Sequence, residues 1–393
     1  MSTVRMSDVA RAAGVSTMTV SNVVNDRPGV SAEVRRRVLR QLADSGYRMN
    51  VSARNLRSGH SGVIGLAVPG HDVPYFGSLA MHIAREADQR GYRVAVEQTG
   101  AQEAGEVAAI QFSRAMDYDG LILSIVGMDL EKLEVAPTFP IVLLGERENP
   151  TAADHVSMAN REGSRAAVEH LREQGARRIA FIGGPDTPDQ TIHSLRLGGY
   201  RSALEQAGLG VDPALLFDAS EVTMESGRRA GHRLAREIRS ARQEGRPAPD
   251  AAFAITDTVA FGALRGLADH GLTVPEDLLL VGFDDIPEAA FMVPALSSVA
   301  PDLAWTARRA VELLLERIGA SGRPGGAESR QVREETIPWS LEVRESSTPV
   351  RSQQGSVPVP GAEHTEGSAM AEQDAFLVAQ TPPSSSTSTG DAS

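Results

Sequence analysis

The stretch from residue 6 to residue 59 reads MSDVARAAGVSTMTVSNVVNDRPGVSAEVRRRVLRQLADSGYRMNVSARNLRSG. It contains two short helical patterns separated by a tight turn at Gly14, and then a third helical pattern with an arginine-rich face. A short segment with one isolated leucine, Leu56, follows. This order of helices and turn is typical of a helix-turn-helix DNA-binding module, and the last segment fits a hinge.

Local signals set the ends of the three predicted helices. Asp8 falls in the first turn of the first helix, where an acid complements the helix dipole. Ser16 and Ser31 are predicted N-caps of the second and third helices. The apolar residues of the three helices then fall on inward faces, which we expect to form one small core: Val9, Ala10, Ala13, Val20, Val23, Val24, Val34, Val38 and Leu42.

Residues 1–59, called the head below, are basic, whereas the rest of the chain is acidic. The head holds ten Arg and four acids, a net charge of +6. The whole chain carries −12, so the remaining residues carry −18. Because phosphate attracts basic surfaces and repels acidic ones, the charge distribution indicates that the head alone meets nucleic acid.

Composition excludes several classes of protein. The 393 residues leave room for two or three domains, and the absence of Cys excludes disulfides and thiolate metal sites. The nine His show no metal-ligand spacing, so we expect neither a metal nor a cofactor. The chain has no apolar run of about 18 residues and no apolar signal-peptide core, so we expect a cytoplasmic protein that makes no membrane contact.

From Gly62 onward, short apolar runs alternate with amphipathic helical patterns. The runs predict strands at 62–69, 93–99, 120–126, 140–145, 178–184, 251–256 and 278–285. Helices are predicted between them at 78–90, 160–174, 226–243 and 258–270. The alternation predicts parallel sheets covered on both faces, one sheet before about residue 160 and one after it. Beyond about Ser346 the chain is rich in Ser, Thr, Pro and Gly and is predicted to be disordered.

A set of short motifs runs through the chain. In the head they are Asp8-Val9-Ala10, Ala13-Gly14-Val15-Ser16, Thr19-Val20-Ser21, Val24-Asn25, Val30-Ser31, Gly46-Tyr47, Asn50, Ala53-Arg54 and Leu56. In the body they occupy 64–69, 154–160, 167–185, 196–204, 257–263, 281–285 and 294–299. With these residues the chain resembles the LacI/GalR (lac-repressor) family of bacterial transcription regulators over about residues 5–345.

The resemblance implies an all-α helix-turn-helix head followed by an α/β body that is similar to periplasmic sugar-binding proteins, with two parallel-sheet lobes. The implied boundaries are a DNA-binding domain at 1–48, a hinge at 49–60, a two-lobed body at 61–346 and a disordered tail at 347–393. The first lobe is expected to take about 61–160 plus 293–322, and the second about 161–292 plus 323–346.

In a helix-turn-helix the second helix enters the major groove, where its N-terminal residues reach base edges. We therefore expect base contacts from Thr17, Met18 and Asn22, the alternative being an ordinary solvated helix face. The family often has Arg where this chain has Asn22, so an operator sequence cannot be carried over. Phosphate contacts or capping roles are expected for Ser16, Thr19, Ser21 and Asn25, and phosphate contacts for Arg35 and Arg36. A merely solvated arginine face is the alternative for the last two.

In the family, the residues that match 50–58 fold into a helix on the operator, and paired leucines wedge into a minor-groove step. Ala53, Arg54 and Leu56 hold the corresponding positions here. An apolar wedge unstacks a base step at a cost of a few kcal/mol, which the contacts of the bent DNA offset. The alternative is that Leu56 packs against its own domain. Met49 stands where family members often have Pro.

The resemblance also places a ligand between the lobes, at the carboxyl ends of the strands. Asp284 is expected to accept hydrogen bonds from ligand hydroxyls, and Arg196 to donate to a hydroxyl or an anion. The other matching positions are Tyr75, Phe76, Val222, Thr256 and Asp257. Alternatively, Asp284 or Asp257 only caps a helix, and Phe76 belongs to the core. Val222 aligns where the family often has a stacking aromatic, which weakens the expectation of a sugar.

Together these features favour a homodimeric, ligand-responsive transcription regulator, in most such cases a repressor, whose partners are operator DNA and a small-molecule effector. A free-standing sugar-binding protein is the alternative, against which the basic head and the absent signal peptide argue. An enzyme is a third possibility, but the chain has no GxGxxG, GxxxxGK[ST] or HExxH motif. No catalytic residue is therefore predicted.

Overall fold

The structure, a computed structural model, describes residues 4–47, 60–128, 139–145, 153–185, 191–321 and 331–348. Its α-helices are α1 Met6–Ala13, α2 Thr17–Val24, α3 Ala32–Asp44, α4 Pro74–Gln89, α5 Glu103–Ala115, α6 Asn160–Glu173, α7 Ile192–Gln206, α8 Met224–Gln243, α9 Asp257–Ala268 and α10 Leu303–Ser321. Its strands are β1 Val63–Val68, β2 Arg93–Gln98, β3 Gly120–Ile125, β4 Ile141–Gly145, β5 Asp154–Ser157, β6 Ile179–Gly183, β7 Leu216–Asp218, β8 Ala251–Ala254, β9 Leu279–Phe283, β10 Ser297–Pro301, β11 Glu334–Thr336 and β12 Trp339–Glu342.

The described part of the head, residues 4–47, folds as the sequence predicts. Its three helices enclose a core of six buried residues, Val9, Ala10, Ala13, Val20, Val23 and Val38. Val24, Val34 and Leu42 pack against this core but are only partly buried. Gly14 has φ of +62° and ends α1, which permits the sharp turn that brings α2 across α1.

The body contains two six-stranded sheets, in the orders β11-β5-β4-β3-β1-β2 and β12-β10-β9-β8-β6-β7. Neighbouring strands run parallel except for β12, which pairs antiparallel with β10. The strands β1, β3, β6, β8 and β9 are buried almost throughout, because helices cover both faces of each sheet. The prediction of two parallel-sheet lobes is confirmed. In the part of the chain that the structure describes, no helix is long and apolar enough to cross a membrane.

The predicted division of the body between the lobes is wrong in two places. The strand β10, assigned to the first lobe, pairs with β9 in the second sheet. The strand β11, assigned to the second lobe, pairs with β5 in the first sheet. Helix α10 does pack in the first lobe, through Ala307, Val311 and Leu314. The chain therefore passes between the lobes three times, after β5, after β10 and after β11.

The body also ends later than predicted. Ser347, placed in the tail by the sequence, is fully buried in the second lobe. Its hydroxyl lies 2.7 Å from Nε2 of His170 and donates to the hydroxyl of Ser297 over 2.7 Å. These bonds fasten the end of the body to its core. Thr348 is the last described residue of the predicted tail, and the rest of the tail lies outside the described residues, as does the predicted hinge except for its last residue, His60.

A buried ion cluster holds the first lobe together where β11 joins it. Asp154 on β5 has no exposed surface. It accepts a hydrogen bond from Arg317 Nη2 over 2.6 Å and one from Arg333 Nη2 over 3.0 Å. Burial would raise the pKa of Asp154, but the bonds from the two arginines outweigh it and lower the pKa to about 2.

We expect acid to weaken this lobe through Asp154. Because the carboxyl has a lower pKa in the folded chain than in the unfolded chain, its contribution is present above about pH 4 and is lost as the pH falls towards 2. The shift corresponds to about 2 kcal/mol. Asp154→Asn should therefore lower the free energy of unfolding at pH 7 and flatten its dependence on pH between 2 and 4, as measured by urea denaturation. An unchanged pH dependence would contradict the assignment.

Candidate functional site

The amino-terminal end of α2 forms an exposed polar surface on the head. Ser16 caps the helix by accepting from the backbone N–H of Thr19 over 3.0 Å, and the two hydroxyls lie 2.9 Å apart. Thr17 and Met18 follow, with Met18 64% exposed. Asn22 lies one turn further along and is half-buried. The predicted base-contacting residues thus share one side of a short helix, and Met18 has no packing reason to be apolar.

Of the residues predicted to contact phosphate, some bond to other groups of the head and others are exposed. Asn25 donates through Nδ2 to the backbone carbonyl of Ser21 over 2.7 Å and closes the other end of α2. Arg36 on α3 is exposed. Arg35 instead donates to the carboxylate of Asp26 and, over 3.0 Å, to the backbone carbonyl of Arg27. The predicted hinge contacts Ala53, Arg54 and Leu56 lie outside the described residues.

The predicted cleft residue Arg196 is the hub of a buried hydrogen-bond network in the second lobe. It lies on α7 and is only 2% exposed. Its Nε donates to Oδ1 of Asn160 over 2.8 Å, and its Nη1 donates to the backbone carbonyl of Ile255. The guanidinium carbon lies 3.6 Å from the ring centre of Phe283, a cation–π contact. Arg196 therefore links the ends of β8 and β9 to the start of α6.

Asp284 follows β9 and completes the same cluster. Its Oδ1 accepts from Arg196 Nη2 over 3.3 Å, the longest bond of the network. Both Asp284 and Asp285 have positive φ, 108° and 46°, although neither is glycine. Such backbone strain persists only where surrounding contacts fix it, and it concentrates at binding sites. The turn is held by Ser298, whose hydroxyl accepts from the Asp285 N–H over 3.0 Å.

Two other predicted cleft residues face inward. Thr256 caps α9 by accepting from the Val259 N–H over 3.2 Å. Asp257 is fully buried, accepting from the Ser298 hydroxyl over 2.6 Å and from the Ile286 N–H over 2.9 Å. Burial, and secondly the charge of Asp284, raises the pKa of Asp257 well above its ordinary value. Thr256 is therefore the helix cap, whereas the Asp257 carboxyl bonds to other segments of the second lobe and does not cap α9.

The apolar residues predicted for the cleft come from both lobes. Tyr75 packs against the hydrophobic cores of both lobes, whereas Phe76 packs against the first alone. The two rings meet edge to face with centres 5.1 Å apart. Val222 has φ of +52°, which is strained for a β-branched residue. It forms a turn just before α8 and packs against the core of the second lobe.

Two residues of the cluster were missed by sequence reasoning. Asn160 begins α6 and accepts from Arg196. His193 lies one turn before Arg196 on α7, and its Nδ1 accepts from the Gly184 N–H over 3.0 Å. Burial, and secondly the charge of Arg196, lowers the pKa of His193, so the ring is neutral at pH 7. The three-residue spacing on one helix would have placed His193 beside Arg196.

One pocket among the described residues lies away from this cluster. It has a volume of about 620 Å³ and is lined mainly by apolar residues of the second lobe, among them Leu264, Val274 and Val293. It contains none of the predicted effector residues. Ligand chemistry therefore favours the Arg196–Asp284 cluster over the pocket, because polar groups that converge define a specific site better than volume does. Among the described residues, no group of His, Asp and Glu could hold a metal ion.

A three-helix head with an exposed second helix, joined in one chain to a two-lobed α/β body with a buried polar cluster, defines a class of ligand-responsive DNA-binding proteins. Residues 5–50 match the family described as "Bacterial regulatory proteins, lacI family", and residues 168–347 match the "Periplasmic binding protein-like domain". The chain belongs to the LacI family of bacterial transcription regulators. Members of this family are regulators and not enzymes.

Known proteins agree with this assignment over most of the chain. The ribose operon repressor of Haemophilus influenzae is 30% identical over 314 residues, which are 80% of this chain and 91% of that protein. A LacI-type transcription regulator from Bifidobacterium animalis is 30% identical, with a TM-score of 0.63 over 72% of this chain and 99% of the other. The lac repressor dimer bound to operator and the anti-inducer ONPF is 26% identical, with a TM-score of 0.69 over 88% of this chain and 99% of the other.

The chain is thus a DNA-binding transcription regulator with an effector-binding body. The alternative of a free-standing binding protein without a DNA function is set aside, because the head matches the regulator family in its own right.

Proposed function

We propose that this regulator is an operator-binding repressor that acts as a homodimer in the bacterial cytoplasm and that responds to a small polyhydroxylated metabolite. The observation that carries the proposal is the pairing of Arg196 with Asp284 at the carboxyl ends of the strands. The head of the same chain exposes α2, the recognition helix of its helix-turn-helix. A donor and an acceptor side by side suit ligand hydroxyls, which both accept and donate.

The DNA part of the proposal rests on exposure. Thr17 and Met18 are exposed at the start of α2, and Asn22 follows on the same helix. We assign these three residues to base edges. Ser16, Thr19, Ser21, Asn25 and Arg36 are assigned to the phosphate backbone, as caps or direct contacts. One head spans a half-site, so a second copy is needed to read a two-fold operator.

The effector part rests on the one long bond of the cluster. Arg196 holds Asn160 and Ile255 more closely than it holds Asp284, so a ligand hydroxyl can enter at the Arg196–Asp284 end with the least disruption. Tyr75, which contacts both cores, supplies apolar surface and a link between the lobes. The name of the ribose operon repressor supports a sugar. Val222 in place of an aromatic argues that ring stacking contributes less here.

A selection experiment tests the proposal. The full-length chain should select a two-fold symmetric sequence from a pool of random duplexes. Its affinity for that sequence should fall steeply with salt, because each phosphate neutralised adds roughly 0.9 to the slope of log K against log salt. Binding should be modulated by at least one sugar from a panel of pentoses, hexoses and their phosphates. Selection of no sequence, or an affinity independent of salt, would contradict the proposal.

A further inference from the structure

The recognition helix α2 ends in a turn whose left-handed position is occupied by Asp26 and not by glycine. The N–H of Asp26 bonds to the carbonyl of Val23 over 3.3 Å, and the N–H of Arg27 bonds to the carbonyl of Asn22 over 2.8 Å. This is the Schellman arrangement, whose left-handed position usually carries Gly and sometimes Asn. Here it carries Asp26 with φ of +50°. Asp adopts the left-handed conformation less readily than Gly, so a contact that fixes the turn at Asp26 offsets part of that cost.

Arg35 supplies that contact from the next helix. It donates through Nη1 to the carboxylate of Asp26 and through Nη2 to the carbonyl of Arg27, so that one guanidinium bonds to both residues of the turn. The Arg35 side chain is only 27% exposed, while that of Asp26 is 92% exposed. A planar fork is suited to two acceptors at once, which a lysine could not match. The contact ties α3 to the end of α2.

We propose that Arg35 is a positioning residue that acts through this clamp, and that it does not bind DNA phosphate. The clamp, formed by the bonds of Arg35 to Asp26 and Arg27, fixes the turn in which the Arg27 N–H bonds to the Asn22 carbonyl. It thereby sets the orientation of Asn22 on the recognition helix. The inference rests on the proposed DNA function. It revises the role of Arg35 only, and Arg36, its exposed neighbour, remains a phosphate contact.

The two roles predict opposite results for Asp26. If Arg35 bound phosphate, Asp26 would compete with DNA for it, and neutralising Asp26 would tighten binding. If Arg35 acts through the clamp, neutralising Asp26 weakens binding, because the guanidinium loses its charged partner. Asp26→Asn is a suitable variant, because Asn tolerates the left-handed conformation. Asp44→Asn is its control: it removes the same charge from the exposed end of α3 and leaves the clamp intact.

The test uses the full-length chain and the duplex that the wild type selects. Asp26→Asn and Arg35→Ala should each weaken binding about tenfold or more, since a hydrogen bond to a charged group is lost. The double variant, with Asp26→Asn and Arg35→Ala together, should bind DNA no less tightly than the single variant with the lower affinity. Arg35→Ala should keep the wild-type salt slope, whereas Arg36→Ala should reduce it by roughly one unit per head. Asp26→Asn and Arg35→Ala should also reduce base preference at the base pair that Asn22 contacts. Both should keep the preference at the base pairs that Thr17 and Met18 contact.

Other outcomes separate the explanations. If Asp26→Asn tightens binding at least as much as the control Asp44→Asn, or if Arg35→Ala flattens the salt slope, then Arg35 contacts phosphate and the clamp proposal fails. If Arg35→Ala makes the head sensitive to protease, Asp26→Asn alone decides between the two roles, because its exposed side chain leaves the head core untouched. A uniform loss of affinity with unchanged base preference would show a stabilising role alone and would also overturn the proposal. If the wild type selects no sequence, the proposed DNA function fails first.

Discussion

Removal of residues 1–59 should abolish operator binding completely while leaving the affinity for effector unchanged. The head has its own hydrophobic core and a net charge of +6, whereas the remaining chain carries −18 and repels DNA. Specific sites are typically bound 10³–10⁷ times more tightly than other DNA, and the whole of that preference should be lost. Mobility shift on the selected duplex measures the loss, and calorimetry with the active sugar measures effector affinity.

A suitable control for this truncation is the full-length chain with Thr17, Met18 and Asn22 replaced by Ala. It should lose sequence preference and keep salt-dependent binding to any duplex, because its phosphate contacts remain. Sequence-specific binding by the truncated chain would place the DNA-reading surface on the body and would refute the assignment of the head.

Arg196→Ala should abolish the response to effector and lower the free energy of unfolding by about 3–5 kcal/mol, the usual cost of breaking a buried ion pair. Arg196 is almost fully buried, and its loss removes one donor each from Asn160, Asp284 and the Ile255 carbonyl. Urea denaturation and calorimetry with the active sugar are the two measurements. A variant that responds at wild-type sugar concentrations would show that the effector binds elsewhere.

The matched control for Arg196 is Arg165 on α6. Arg165 donates to Glu169 over 2.9 Å, but its side chain is 40% exposed. Exposed pairs of this kind contribute about 0.3–0.5 kcal/mol, so Arg165→Ala should change neither stability nor response appreciably. Asp284→Asn separates binding from folding, because it keeps the size of the side chain and removes the acceptor charge. It should lose the response with a smaller change in stability.

Seven strands of the body could be predicted from the sequence, whereas β5, β7, β10, β11 and β12 could not. The runs at 62–69 and 120–126 stand out because they are apolar on both faces, as buried parallel strands must be. By contrast, β5 begins with Asp154 and His155, and β11 reads Glu-Glu-Thr. These polar strands exist because Arg317, Arg333 and Arg309 neutralise their acids, a contact between distant segments that no local pattern records.

The site likewise has residues that could be predicted from the sequence and contacts that could not. The family resemblance pointed to Arg196 and Asp284, which are 88 residues apart and meet in the structure. It could not show that Asp257 is turned into the core, where its carboxyl accepts from Ser298 on another strand. The sequence also suggested Arg35 as a phosphate contact from its charge alone. Only the turn at Asp26 shows where that guanidinium donates.

The three passages of the chain between the lobes also bear on synthesis at the ribosome. Neither sheet is a continuous segment, and the first lacks its edge strand until Glu334–Thr336 has been made. The three helices of the head are complete by about residue 47, roughly 290 residues earlier. At about 5–20 residues per second, a folded head precedes a finished body by roughly 15–60 s. A nascent chain therefore carries a folded DNA-binding head before its effector-binding body is complete, so an effector can influence DNA binding only after the last crossing has been made.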